Sequence, residues 1–460
     1  MEEAERIMKD GRQTADHLCV LIHGLWGNPS HLTYLASSLR EKHSAEKLHI
    51  LVSKTNSDTF TYDGIDLGAE RVTQEIENYI QDLEKAGSEI RKLSIVGYSL
   101  GGLVARYTIG LLYSKGWFER IKPVNFTTFA TPHLGVKTPL LGVQYKVFNF
   151  LGSRTLSTSG RQLFTVDTFR NTNRPILSVL ADPGSIFMLA LAQFSHRVLY
   201  ANIINDRSAP YYTTSISATD PYTNLDAISI NYLPDYAPNI INPIDPIHLK
   251  PPGIQPPFFA RLSSSSQSLL TSVPVFALFS VLIPIGSVVF LINSGVQQVR
   301  SQKRIRLHEE GKAGVGFGSY RIPLMVENAR SAMEGAFENM NARQGQQYLP
   351  EPASDEDREA ESSDGLQQNG HAEEKYHSVS QTSSDLERSS SRRSGFPTLA
   401  LTTQQFEMIR ALNEVGFRKY RVHISAVRHT HAAIIVRSQK PSFDEGKMVV
   451  RHWLNEEFEI

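Results

Sequence analysis

The chain has 460 residues, room for about three domains of ~150 residues, or for one large α/β domain of up to about 250 with something added. Lys plus Arg and Asp plus Glu both total 47, and that neutrality removes the electrostatic case for a nucleic-acid binder. A single cysteine, Cys19, excludes a disulfide framework and a four-cysteine zinc site, and suits a reducing compartment.

Residues 1–16 read as a flexible, acidic start. They lack the basic region and apolar run of a secretory signal. From 17 to 261 the pattern is that of a domain core. His17–His23 is a short buried-strand run ending at Gly24. Leu93–Gly97, Val124–Ala130 and Val198–Ile204 have the same character. Between the first two, Leu67–Ala86 carries Val72, Ile76, Tyr79, Ile80 and Leu83 at helical spacing, and Leu103–Ser114 is also helix-like. Strands alternating with helices predict an α/β fold with a mostly parallel sheet covered on both faces.

Residues 262–299 contain no charged side chain. Their centre, the 24-residue run Leu269–Ile292, would reach about 36 Å as a straight helix, against a bilayer core of ~30 Å. Pro274 and Pro284 interrupt it, so a kinked spanning helix competes with a hairpin that enters and leaves one face. The hairpin is the favoured form and would also suit the monolayer of a lipid droplet. A basic and amphipathic segment, 300–339, follows. Its Arg300, Lys303, Arg304 and Arg306 are expected to stay cytosolic and touch anionic head groups. Residues 340–397 are rich in Ser and charge, poor in aliphatic periodicity, and read as a disordered linker. Structure resumes in 398–460: a helix over Thr403–Val415, strands over Tyr420–Val427 and Ala432–Val436, and a last helix over Gly446–Phe458.

Gly97-Tyr-Ser99-Leu-Gly101 fits G-x-S-x-G, and its setting adds weight: a strand precedes it and a helix follows. The glycines would permit a tight turn that lifts the Ser99 hydroxyl clear of the backbone at a helix N-terminus. His23-Gly-Leu-Trp-Gly27 suits a loop folding over the sheet edge beside that serine. The amides of Leu25 and Leu100 are the candidate oxyanion donors. A serine nucleophile needs a histidine base and an acid to orient it, in the chain order Ser, acid, His. Asp206, beyond the strand Val198–Ile204, is preferred as the acid, with Asp182 as the rival. For the base, His431 is preferred and His429 is the alternative; His423 and His452 read as structural. His133, in Thr131-Pro-His-Leu-Gly135, comes too early and is expected to shape the wall of the site.

His17–Leu32, Leu93–Tyr107, Phe126–Val136 and, more loosely, Ala201–Pro210 resemble the serine esterase (lipase-like) family of α/β hydrolases, and within it fungal lipid-droplet phospholipases. Thr430–Arg437 resembles the family segment that holds the catalytic histidine, which supports His431. The resemblance implies an α/β-hydrolase fold and acyl-ester hydrolysis of glycerophospholipids through a Ser-His-Asp triad. It implies no metal or organic cofactor. The expected partners are a lipid substrate and a membrane or lipid-droplet surface, with the catalytic domain on the cytosolic side of the lipid droplet or endoplasmic reticulum. An acyl-thioesterase or other lipid esterase, and a catalytically dead membrane tether, are the alternatives. The separation of Asp206 from His431 departs from a compact hydrolase: it requires the apolar segment and the linker to be insertions before the last strand.

Overall fold

A computed structural model of the chain describes residues 15–137, 157–250, 295–308, 310, 348 and 396–460. Six strands form one sheet: β1 (His17–Ile22), β2 (His49–Val52), β3 (Lys92–Tyr98), β4 (Lys122–Phe129), β5 (His196–Asn202) and β8 (Arg418–Val422). They lie in the order β2-β1-β3-β4-β5-β8, and every neighbouring pair is parallel. A small antiparallel pair, β6 (Ile228–Ile230) and β7 (Ile247–Leu249), stands apart.

All six residues of β1 are buried. Alternate side chains serve opposite faces: Leu18, Val20 and Ile22 join one apolar core, while Cys19 and Leu21 join a second. A strand buried on both faces reads as a continuous apolar run, which is why it was visible in the sequence. The first core is roofed by α2 (Ile65–Lys85) and α3 (Leu100–Ser114), with later helices α6 (Ile186–Ala192) and α9 (Thr403–Glu414). The second is covered by α1 (Thr33–Lys42) and α11 (Asp444–His452). In α2 the buried Ile65, Ala69, Val72, Ile76, Ile80 and Leu83 recur every three or four residues, so one stripe meets the sheet.

The chain passes from β1 outward to β2 and then returns to place β3 on the other side of β1. In open parallel sheets such a reversal opens a crevice at the carboxyl ends of the two strands. The loops after β1 and β3 therefore emerge side by side. The C-terminal block belongs to the same sheet: Val198 to Asn202 of β5 pair in register with Arg418 to Val422 of β8. This is an α/β-hydrolase-type arrangement, with everything between residues 250 and 396 entering before the last strand.

Several expectations need correction. Tyr420–Val427 is strand only as far as Val422; beyond it the chain turns away, with the His423 amide donating to the carbonyl of Asn239. Ala432–Val436 is not a strand. Thr430–Ala433 is a single helical turn, α10, and Ile434, Ile435 and Val436 are buried by packing without ladder partners. Their β-branched character signals burial here, not pairing. The last helix is Asp444–His452 followed by a π turn, Trp453–Glu457.

Leu269–Ile292, which carries the apolar expectation, and nearly all of 340–397 lie outside the described residues. Among the described residues no helix is long and apolar enough to cross a membrane. The described piece that follows the apolar run is a helix over 295–308, here α8. It corrects one further expectation: Arg304 does not face outward with Lys303 and Arg306. It is buried against Asp63, whose carboxylate is also fully buried and holds it at 2.6 Å.

Candidate active site

Ser99 stands between β3 and α3 with φ 55° and ψ −127°. Non-glycine residues rarely adopt positive φ, and where they do the surroundings must over-determine it. Those surroundings are visible. The Ser99 amide donates to the carbonyl of Phe129 at 2.9 Å. A β-carbon on Gly97 would fall 2.3 Å from the Cα of Gly102, and one on Gly101 would fall 2.2 Å from the carbonyl oxygen of Ile22. Both glycines of the motif are thus required by contact: the first lets the helix fold back on its strand, the second lets it cross the end of β1.

The loop after β1 lies directly over the serine, since a β-carbon on Gly24 would sit 2.7 Å from Ser99 Cβ. No hydrogen bond engages the Leu25 amide among the described residues. Leu100 opens α3, and a first helical residue has no acceptor within its own helix. Both candidate oxyanion donors therefore flank the serine with their N–H groups uncommitted.

The carboxyl end of β5 supplies the acid. Asp206 Oδ1 accepts from the amides of Ser208 and Ala209 at 3.2 and 2.9 Å, and Oδ2 accepts from Asn202 Nδ2 at 2.9 Å. Four donors, counting the histidine, fix this carboxylate in one orientation. Its side chain is 1% exposed, so those bonds replace water.

His431 completes the chain. Its Nδ1 lies 3.0 Å from Asp206 Oδ2 and its Nε2 lies 2.9 Å from Ser99 Oγ. In the tautomer that donates Nδ1–H to the carboxylate, Nε2 is left as acceptor for the serine hydroxyl. The loop holding the ring is tied from two sides. Tyr98 donates its hydroxyl to the His431 carbonyl at 3.0 Å and lays its ring 5.2 Å from the imidazole. Thr430 donates its hydroxyl to the carbonyl of Ile204 at 2.9 Å.

The structure thus brings Ser99, Asp206 and His431 together from three strand ends, and it does not bring their rivals. Asp182 is paired with Arg174 at 2.5 Å, which holds its carboxyl below the usual range. His429 occupies the exposed position before α10. His423 binds the Tyr232 hydroxyl and His452 that of Tyr200, at 2.6 and 2.7 Å. His133 is fully buried behind β4, with Nε2 3.1 Å from Thr128 Oγ1, and burial holds its pKa well down. Its ring packs 5.6 Å from that of Phe417. Sequence reasoning missed Tyr98 and Asn202. Tyr98 sits inside the motif as its variable residue, and nothing in the sequence marks Asn202.

Residues 12–219 match the family model described as "Putative serine esterase (DUF676)". The match includes Ser99 and Asp206 and ends before His431. Over 212 residues the chain is 29% identical to Putative lipase C4A8.10 of Schizosaccharomyces pombe, which covers 44% of this chain and 26% of that protein. Over 213 residues it is 32% identical to Putative lipase ROG1 of Saccharomyces cerevisiae, covering 45% of this chain and 30% of that one. The matched stretch is thus under a third of the length of these relatives. Among solved structures, an extracellular α/β-hydrolase from a Paenibacillus species is 18% identical with a TM-score of 0.20, covering 29% of this chain and 50% of that one. RedJ is 15% identical with a TM-score of 0.23, covering 45% and 79%. Over residues 12–219, less than half of its length, the chain is therefore similar to the family described as putative serine esterase (DUF676).

Proposed function

We propose that this protein is a serine hydrolase that cleaves the acyl esters of glycerophospholipids at a membrane or lipid-droplet surface. The observation that carries the hydrolase reading is the unbroken chain Ser99 Oγ, His431 Nε2, His431 Nδ1, Asp206 Oδ2, with spacings of 2.9 and 3.0 Å. Ser99 attacks the ester carbonyl while its proton passes to His431 Nε2. Asp206 holds the ring in register and stabilises the imidazolium. The amides of Leu25 and Leu100 take the negative charge of the tetrahedral intermediate. Collapse expels the alcohol, which receives the proton from His431 and leaves an acyl-serine. Water then attacks that ester, gives its proton to His431, and frees the fatty acid and the serine. The proton taken from Ser99 leaves on the alcohol and the proton taken from water is passed by His431 to Ser99, so the steps balance with water as the only second reactant.

The lipid part of the reading rests on the charge-free run 262–299 and on the lipase names of the relatives. Such a run, at a lipid droplet or endoplasmic reticulum membrane, would let substrate reach the crevice without crossing water. The wild-type protein is expected to react covalently with a fluorophosphonate probe, and Ser99→Ala to be silent. A label that survives Ser99→Ala removes this serine from the mechanism. Phospholipid and acyl-thioester offered side by side separate the phospholipase reading from a thioesterase.

A further inference from the structure

Helix α8 packs with its polar side inward. Gln297, Ser301 and Arg304, spaced at four and three residues, are buried, while Val296 and Val299 are 42% and 68% exposed. An ordinary surface helix buries its apolar stripe and shows its polar one. The inward face must therefore be held by something other than apolar burial.

What holds it is Asp63. Arg304 Nη2 donates to Asp63 Oδ1 at 2.6 Å and Nε donates to Oδ2 at 2.8 Å, a two-point grip that only the planar guanidinium can make. The same Nη2 also donates to the carbonyl of Thr59 at 2.9 Å. Arg71 joins from α2, with Nη2 2.7 Å from Asp63 Oδ2. Both guanidinium carbons lie 4.9 Å from the centre of the Phe60 ring. Two buried cations and one buried carboxylate thus clamp the segment Asp58–Asp63.

That segment holds the loop over Ser99. The Trp26 amide donates to Thr61 Oγ1 at 3.0 Å, and its indole N–H donates to the Tyr62 hydroxyl at 2.7 Å. The Asp58 amide donates to the Gly27 carbonyl at 2.7 Å. Trp26 stands at φ 55°, a strained conformation that persists only while its neighbours impose it. Trp26 is also the residue next to Leu25, whose amide is a candidate oxyanion donor. Hydrogen bonds and the chain itself thus link Arg304 through Asp63 and Thr61 to the amide of Trp26, the residue that follows Leu25.

We propose that Arg304 is a positioning residue for hydrolysis: from helix α8 it fixes Asp58–Asp63, and through Thr61 and Trp26 it aims the Leu25 amide at the oxyanion. The proposal rests on the serine-hydrolase reading of Ser99. It gives α8 a role distinct from anchoring, because a helix that follows the apolar run in the chain also braces the catalytic loop.

The test uses the full-length protein and a short-chain, water-soluble p-nitrophenyl ester, so that lipid binding does not enter. Wild type, Arg304→Gln, Arg304→Lys, Thr61→Val and the Arg304→Gln/Thr61→Val double variant are compared. Misaiming one oxyanion donor is expected to lower kcat about tenfold to a hundredfold in Arg304→Gln, with KM within about twofold. Arg304→Lys, keeping charge but not the two-point grip, should recover only part. The double variant should be no slower than the slower single variant, because both changes act on one loop. Multiplicative losses in the double variant, or a normal kcat in a folded Arg304→Gln, overturn the proposal while leaving the serine mechanism intact. Should Arg304→Gln fail to fold, Thr61→Val carries the test alone, and a normal kcat there overturns it. A wild type inactive on every ester overturns both readings.

Discussion

At the scale of the residue, the setting of Ser99 was legible because its constraint is local. A tight turn between strand and helix excludes β-carbons at two positions, and Gly97 and Gly101 record that in the sequence. The acid and the base carry no such mark. Asp206 was preferred for its place after a strand, and the structure gives it both the turn's own amides, Ser208 and Ala209, on Oδ1 and the side chains of Asn202 and His431 on Oδ2. His431 was preferred partly on a strand that is not there: the residues after it form a helical turn and bury their branched side chains without pairing. What holds it beside Ser99 is instead the pair of hydrogen bonds that Tyr98 and Thr430 make to its loop. Asp206→Asn should lower kcat by about 10⁴, as expected when the orienting acid is lost and the tautomer is wrong, while Asp182→Asn should change it by less than about twofold. Comparing kcat of the two variants on one soluble ester checks the assignment, and an equal fall in both would contradict it.

At the scale of the element, the strands β1, β3, β4 and β5 were legible because burial on both faces gives each a run rich in apolar and β-branched residues. Strand β2 was not, because all four of its residues are only half-buried and the run is short. Two buried histidines tie elements together and make the fold sensitive to acid. His17 lies between β1 and β3, 2.7 Å from Ser94 Oγ; His452 packs α11 on β5, bonded to Tyr200. Burial lowers both from 6.5 to about 4. The native state therefore binds these protons less readily than the unfolded chain. Above pH 6.5 neither state is protonated and nothing changes; as pH falls from 6.5 toward 4 the unfolded chain takes up protons first and stability drops. Each site is worth about 3 kcal/mol at the bottom of that window. Melting temperatures at pH 7.5, 5.5 and 4.5 should show a flat upper limb and a steep lower one. Replacing His17 and His452 with Gln should flatten the lower limb, and an unchanged slope would contradict the account.

At the scale of the whole molecule, one sheet is assembled from two distant stretches of chain. Residues 17–202 supply five strands, and the sixth strand and His431 arrive only after residue 396. That the two blocks share one fold was expected only from the order of serine, acid and histidine and from the resemblance, because pairing of β5 with β8 leaves no local pattern. The division of labour between them and the charge-free run is testable. Replacing residues 262–292 with a polar linker of equal length should leave kcat/KM on a soluble ester within about threefold, and should abolish co-flotation with phospholipid vesicles. Flotation equal to wild type would show that the run does not hold the protein at lipid.

The central claim is that Ser99, oriented by His431 and Asp206, releases fatty acid from glycerophospholipid. The most direct measurement is mass-spectrometric analysis of the lipids after phospholipid vesicles are incubated with purified wild type and with Ser99→Ala. The account predicts free fatty acid and lysophospholipid in step with one another for wild type, and neither above background for Ser99→Ala. Equal release by the two proteins, or no release by a folded wild type that reacts with a fluorophosphonate, would contradict it.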